Sequence, residues 1–269
     1  MELPGLRPPG ARDIESPPIR EVIMRAHYVH PLALLVLAAG LAGCSDSEDL
    51  GQVRLQVASH SAAAVEPGTP GQLVISAAGD EIVLESVGLV LRKVRLDGDV
   101  AAPCPAEGEG GTSCGELRFG PVLFELPMDQ GAETILDASV PVGSYTGLQF
   151  QLHRPTNANE DADFVADHPD YDDTSIRVAG SYNGTPFTFT SDLTLVQSVD
   201  FPALVEVDAD EVLPLTLLVD VADWFAAEGG GLVDPAQAND GGPLESAVEQ
   251  RIRASFRAFR DSDADAEGD

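Results

Sequence analysis

The densest apolar stretch in the body of the chain is Glu81–Leu96, EIVLESVGLVLRKVRL. Val90, Val94 and Leu96 alternate with Leu91, Lys93 and Arg95, so one face turns wet towards the end. A strand sends successive side chains to opposite faces, and this alternation is its signature. The stretch reads as two short strands or one long bent strand, with Gly88 as the bulge or bend. Runs of the same kind recur. Gln52–Ala58, Gln72–Ser76, Pro121–Leu126, Thr134–Val140 and Tyr145–His153 read as strands, as do Leu193–Gln197, Ala203–Val207 and Leu213–Val221. Ser175–Tyr182 and Thr185–Thr190 flank Asn183-Gly184, which predicts a hairpin with a type I′ turn and positive φ at both central residues. Asn183-Gly184-Thr185 also fits a glycosylation sequon, but turn geometry already accounts for these residues.

Short strands at this spacing predict a mainly β fold, an antiparallel β-sandwich occupying residues 51–260 as a single domain. Asp220–Ala227 reads as a short helix or turn, and Pro155–Thr174 as a long acidic loop. Pro243–Arg260 is the one convincing helix. Pro243 suits its first position, and Leu244, Val248, Ile252, Phe256 and Phe259 recur at helical spacing. Glu245 and Glu249 lie early and Arg251, Arg253, Arg257 and Arg260 late, which complements the helix dipole. This amphipathic helix, 243–260, is expected to pack its stripe on the sandwich. Residues 261–269 are expected as an acidic, disordered tail.

Pro31–Cys44, PLALLVLAAGLAGC, is of another kind. It holds about a dozen apolar or small residues, against the ~20 of a spanning helix. It fits the apolar region of a secretory signal. Leu41-Ala42-Gly43-Cys44 resembles the lipobox of bacterial lipoproteins. That resemblance implies cleavage before Cys44 and acylation of its thiol. Residues 24–43 are then the signal peptide, with Met24 as the start, and 44–50 a polar tether. Residues 1–23 carry mixed charge and five prolines, unlike the start of a signal, and read as a mis-assigned extension.

Residues 1–43 carry as many Arg as Asp plus Glu, so their removal leaves the net charge of −30 unchanged. Such a surface repels phosphate backbones, which argues against a nucleic-acid partner, and it opposes anionic lipid except through an anchor. An apolar fraction of 43% separates the chain from disordered acidic polymers. With Cys44 lipidated, Cys104 and Cys114 remain, in the loop APCPAEGEGGTSCGE. Outside the reducing cytosol the expected state is a disulfide. A metal thiolate pair would call for CxxC spacing and a nearby histidine.

Enzymatic signals are weak. Gly111-Thr112-Ser113-Cys114-Gly115 matches G-x-S-x-G, but that elbow requires a strand turning sharply into a helix. Here Glu-Gly-Glu-Gly-Gly precedes it and a strand follows. His60, His153 and His168 show no catalytic or zinc spacing. No catalytic residue is assigned, and a secreted hydrolase is the weakest of three readings. Calcium is the cation that the acidic segments suit, because hard cations take six to eight oxygens. Asn159, Glu160, Asp161 and Asp163 cluster in the long loop, with Asp170, Asp172 and Asp173 behind. The tail Asp261-Ser262-Asp263-Ala264-Asp265 resembles the opening of a D-x-D-x-D calcium loop. It departs from that pattern with Ala266 at the turn glycine's place and without a glutamate at position twelve.

SIRVAGSYNGTPFTFTSD, LTLLVDVADWF and SFRAFRDSDAD together resemble uncharacterised bacterial lipoproteins with a β-sandwich domain of unknown function. PVGSYTGLQFQL is similar to the strand entry of such families. The resemblance implies an envelope lipoprotein and transfers no active residue. Ser45 after the cysteine points to the outer membrane by the enterobacterial sorting pattern. The sequence therefore predicts a lipid-anchored, non-enzymatic binding or structural module without a cofactor, whose protein or glycan partner stays open. The alternative is a calcium-dependent adhesion or glycan-binding module using the 159–173 loop.

Overall fold

The structure, a computed structural model, describes residues 49–59, 69–99, 115–118, 120–129, 131–239 and 241–269. The expected leader, Cys44, Cys104, Cys114, Ser113 and His60 lie outside the described residues. In chain order the elements are β1 (Leu50–Ala58), β2 (Leu73–Ala77), β3 (Asp80–Asp99), β4 (Glu116–Arg118), β5 (Val122–Glu125), β6 (Glu133–Pro141) and β7 (Gly143–Leu152). There follow α1 (Ala162–Asp167), β8 (Ile176–Tyr182), β9 (Thr185–Ser191), β10 (Leu195–Val207), β11 (Val212–Val219), α2 (Glu245–Ala254) and β12 (Phe256–Arg260).

The protein is mainly β, in two sheets. One has the order β12-β11-β1-β6. The other runs β10-β7-β3-β8-β9, with β2, β4 and β5 also paired to β3. Pairing is antiparallel except between β1 and β11, which run parallel from Gln52↔Val212 to Ala58↔Leu218. The two sheets share one hydrophobic cluster. Val53, Leu55, Leu215 and Leu217 enter it from the first sheet and Leu89, Leu91, Phe150 and Phe189 from the second. Phe150 of β7 meets Phe256 of β12 edge to face, with ring centroids 5.1 Å apart. That contact joins the sheets directly, an arrangement consistent with a β-sandwich. Trp224 and Phe225 are fully buried in the same core. Tyr145 is buried too, and its hydroxyl donates to the Pro141 carbonyl at 2.7 Å. A tyrosine bonding back to the backbone just upstream is the corner device of many sandwiches.

The dense stretch is a single strand, β3, of 20 residues. Its register shifts at Glu85, between Leu84 and Ser86, around Lys93, whose φ is +51°, and again between Asp97 and Gly98. Gly88 is not the bend. It pairs regularly with Arg177 and Glu125, and a Cβ there would collide with the Tyr171 hydroxyl. The missing side chain is what lets Tyr171 lie on the strand. Burial pushes that hydroxyl up to about 12, so Tyr171 stays neutral at ordinary pH. Asn183 and Gly184 take φ of +49° and +78°, as the hairpin reading requires. The expected strands Leu193–Gln197 and Ala203–Val207 merge into one, β10, which starts only at Leu195 and carries Pro202. It tolerates the proline because it is a sheet edge and its pairing with β7 skips between Asp200 and Val205.

The expected helix 243–260 is overturned in its second half. The helix spans only Glu245–Ala254, and Phe256–Arg260 is a strand paired with β11 from Val219↔Phe256 to Leu215↔Arg260. Ser255 marks the break: its hydroxyl donates to the Ile252 carbonyl, and its own carbonyl accepts from the Asp220 amide. Phe256, Arg257 and Ala258 also satisfy a period of two. The open edge of β11 selects the strand over the helix. Residues 261–269 are folded back rather than loose. Ala266 is buried against Ala58, Leu218 and Phe259.

Candidate functional site

The acidic loop between β7 and β8 is built, not slack. It contains a 3-10 turn at Asn159–Asp161, α1, and a second 3-10 turn at Pro169–Tyr171. Asn159 and Asp173 take left-handed φ of +55° and +57°. Val165 and Tyr171 are its buried apolar contacts. Arg92 of β3 fastens the front of the loop. Its Nη2 donates to Glu160 Oε1 at 2.8 Å, and its Nη1 lies 4.0 Å from Asp161 Oδ1. His153 Nε2 meets Asp161 Oδ2 at 2.9 Å, and Asp161 is buried at 6% exposure. Buried carboxylates persist where a cation or a donor faces them. Arg154 fastens the back, donating to Asp173 at 3.0 Å and to Asp192 at 2.8 Å. Asp173, then Asp192, raise the Arg154 guanidinium above its ordinary pKa by hydrogen bonding and charge. Asp172 accepts from the Asn157 amide at 3.1 Å.

The seven residues singled out in this loop are therefore drawn in different directions. Glu160 and Asp161 turn to Arg92 and His153, and Asp173 turns to Arg154. Asp163 faces a surface cleft, and Asp170 lies in the second 3-10 turn beside Tyr171. Among the described residues two groups of three carboxylates converge within 4.8 Å: Asp192, Glu245 and Glu249, and Asp261, Asp263 and Asp265. Neither includes a residue of the 159–173 set. In the first group each member already has a partner: Arg154 for Asp192, the Gly241 amide for Glu245 and Arg253 for Glu249.

The cleft has a volume of about 350 Å³ and lies between α1 and the β4–β5 segment. Arg118, Val122, Glu160, Asp163, Phe164 and His168 line it. The rings of Phe164 and His168 sit 4.7 Å apart. Carboxylates, an arginine and two aromatic rings tilted 42° to each other can hold a small polar ligand by hydrogen bonding and ring contact. Arg92, Arg118 and Arg154 were missed by a reading centred on the acids. Arg154 directly follows the strand entering the loop, and that adjacency was the available signal. No family model, curated protein or solved structure matches the chain.

Proposed function

We propose that the protein is a lipid-anchored envelope module whose β-sandwich serves as a non-enzymatic binding or structural unit. The observation that supports a binding role is the acidic loop, fastened at both ends by arginines reaching up from β3 and the end of β7. That fastening holds the cleft over α1 in a defined shape, which lowers the entropy lost when a partner docks. The anchor rests on Leu41–Cys44. Cys44→Ser is expected to move the protein from the membrane fraction to the soluble one, with detergent partitioning as the check. A wild-type protein that partitions as soluble, or a mutant retained in the membrane, overturns the anchoring and the envelope location together.

The adjacent rings of Phe164 and His168, with Asp163 also lining the cleft, favour a glycan as the ligand. Aromatic faces and carboxylates are the groups that bind sugar C–H surfaces and hydroxyls. On an array of bacterial envelope glycans, wild-type signal is expected to fall at least about tenfold in Asp163→Ala/His168→Ala, since losing roughly 1.4 kcal/mol suffices. Equal signals from both proteins remove the cleft from the function.

A further inference from the structure

Asp261 immediately follows β12 and is fully buried. One of its carboxylate oxygens, Oδ2, accepts from Thr216 Oγ1 at 2.9 Å and from the Ala266 amide at 3.1 Å. The other, Oδ1, is buried without a hydrogen-bond partner among the described residues. A buried carboxylate oxygen with nothing to bind is unfavourable, because it has given up water for no partner. The group it belongs to is also the one in which Asp261, Asp263 and Asp265 bring ligand oxygens within 4.8 Å of one another. Oxygens bound to one calcium ion at 2.3–2.6 Å lie at most about 5 Å apart, so these three are spaced to share an ion. Asp263 and Asp265 are exposed and open to solvent on the outer side.

The backbone folds around these carboxylates. In a D-x-D-x-D loop the sixth position makes the sharp turn and is normally glycine. Here that position is Ala266, and it takes a left-handed φ of +64° while its amide closes back on Asp261. The departure from the motif noted in the sequence is thus one of residue type and not of conformation. Two further bonds hold the wrap: the Ala132 amide donates to the Ala264 carbonyl at 2.9 Å, and the Ser262 hydroxyl donates to Asp269 at 2.6 Å.

We infer that Asp261, Asp263 and Asp265 form a calcium site at the end of β12, with the fully buried Asp261 as its fixed inner ligand. The donors are all oxygen, which selects a hard cation over zinc or copper. Since Thr216 lies on β11 and Ala132 just before β6, the bound ion ties the C-terminal loop to the first sheet. This site is separate from the cleft and does not depend on the anchor.

The test is calcium binding by the purified full-length protein in detergent, followed by calorimetry and by thermal melts with calcium or chelator. A dissociation constant on the order of 0.1–1 mM is expected, the range of extracellular calcium modules. At about 10 mM calcium the melting temperature should then rise by about 3–10 °C. Asp263→Asn/Asp265→Asn changes only exposed side chains and keeps the fold; it should weaken binding at least about tenfold and abolish most of the shift. Asp163→Asn/Asp170→Asn removes the same charge from the acidic loop and should leave both readouts unchanged. No binding heat and no shift in the wild type overturns the site. So does a shift that survives in the tail variant, or one lost equally in the loop variant.

Discussion

Deleting residues 256–269 is expected to abolish cooperative unfolding near room temperature. The deletion removes β12, whose five residues pair with Leu215–Val219 of β11. Phe256 and Phe259 are 7% and 8% exposed, and burying a side chain of that size is worth roughly 1.5–3 kcal/mol. Lost ladder bonds add about 0.5–1.5 kcal/mol each. The sum is comparable with the ~5–15 kcal/mol that holds a whole domain together. The damage does not stop at the strand. Phe150 loses its edge-to-face partner, and the buried edge of β11 becomes a row of unpaired amides and carbonyls open to another chain. Circular dichroism melts check this: the truncated protein should show no sigmoidal transition, or should aggregate. An unchanged transition would mean that the first sheet is complete without β12, contrary to the packing described.

Arg92→Met should lower stability by roughly 2–4 kcal/mol, short of the full ~3–5 kcal/mol for breaking a buried ion pair, because Glu160 is solvent-exposed and its share is screened. The Arg92 side chain is only 11% exposed, and it stands between Glu160 and the buried Asp161. Without it, Asp161 keeps His153 but loses its permanent cation. The melting temperature should drop by about 4–16 °C, and amides across 159–173 should exchange faster while the β8–β9 hairpin stays protected. Asp161→Asn retains the shape and removes the charge. If the pair acts as described, the double variant loses less than the sum of the two singles, and the shortfall measures the coupling. A change below about 0.5 kcal/mol in Arg92→Met, the usual range of a surface substitution, would remove the arginine from the loop's support.

Most strands were legible in the sequence because a period of two is a local property. Gln52–Ala58, Tyr145–His153 and the Asn183-Gly184 hairpin each carry their conformation in a handful of neighbouring residues. The acidic loop and the D-x-D-x-D tail were legible as composition, for the same reason. Their chemistry was not, since a carboxylate's role is set by what faces it. Arg92 precedes Glu160 and Asp161 by a long stretch of chain, and only the pairing of β3 with β7 brings it beneath them. The parallel match of β1 with β11 is likewise non-local, joining residues from opposite ends of the described chain. Phe256–Arg260 shows the limit most clearly. Its apolar residues satisfy the helical and the extended period alike, so local pattern leaves two answers. The unpaired edge of β11 decides between them, because a strand there satisfies a row of backbone groups and places Phe256 against Phe150. The same choice puts Asp261 at the head of the C-terminal loop, with one carboxylate oxygen bonded to Thr216 and Ala266 and the other buried without a hydrogen-bond partner among the described residues.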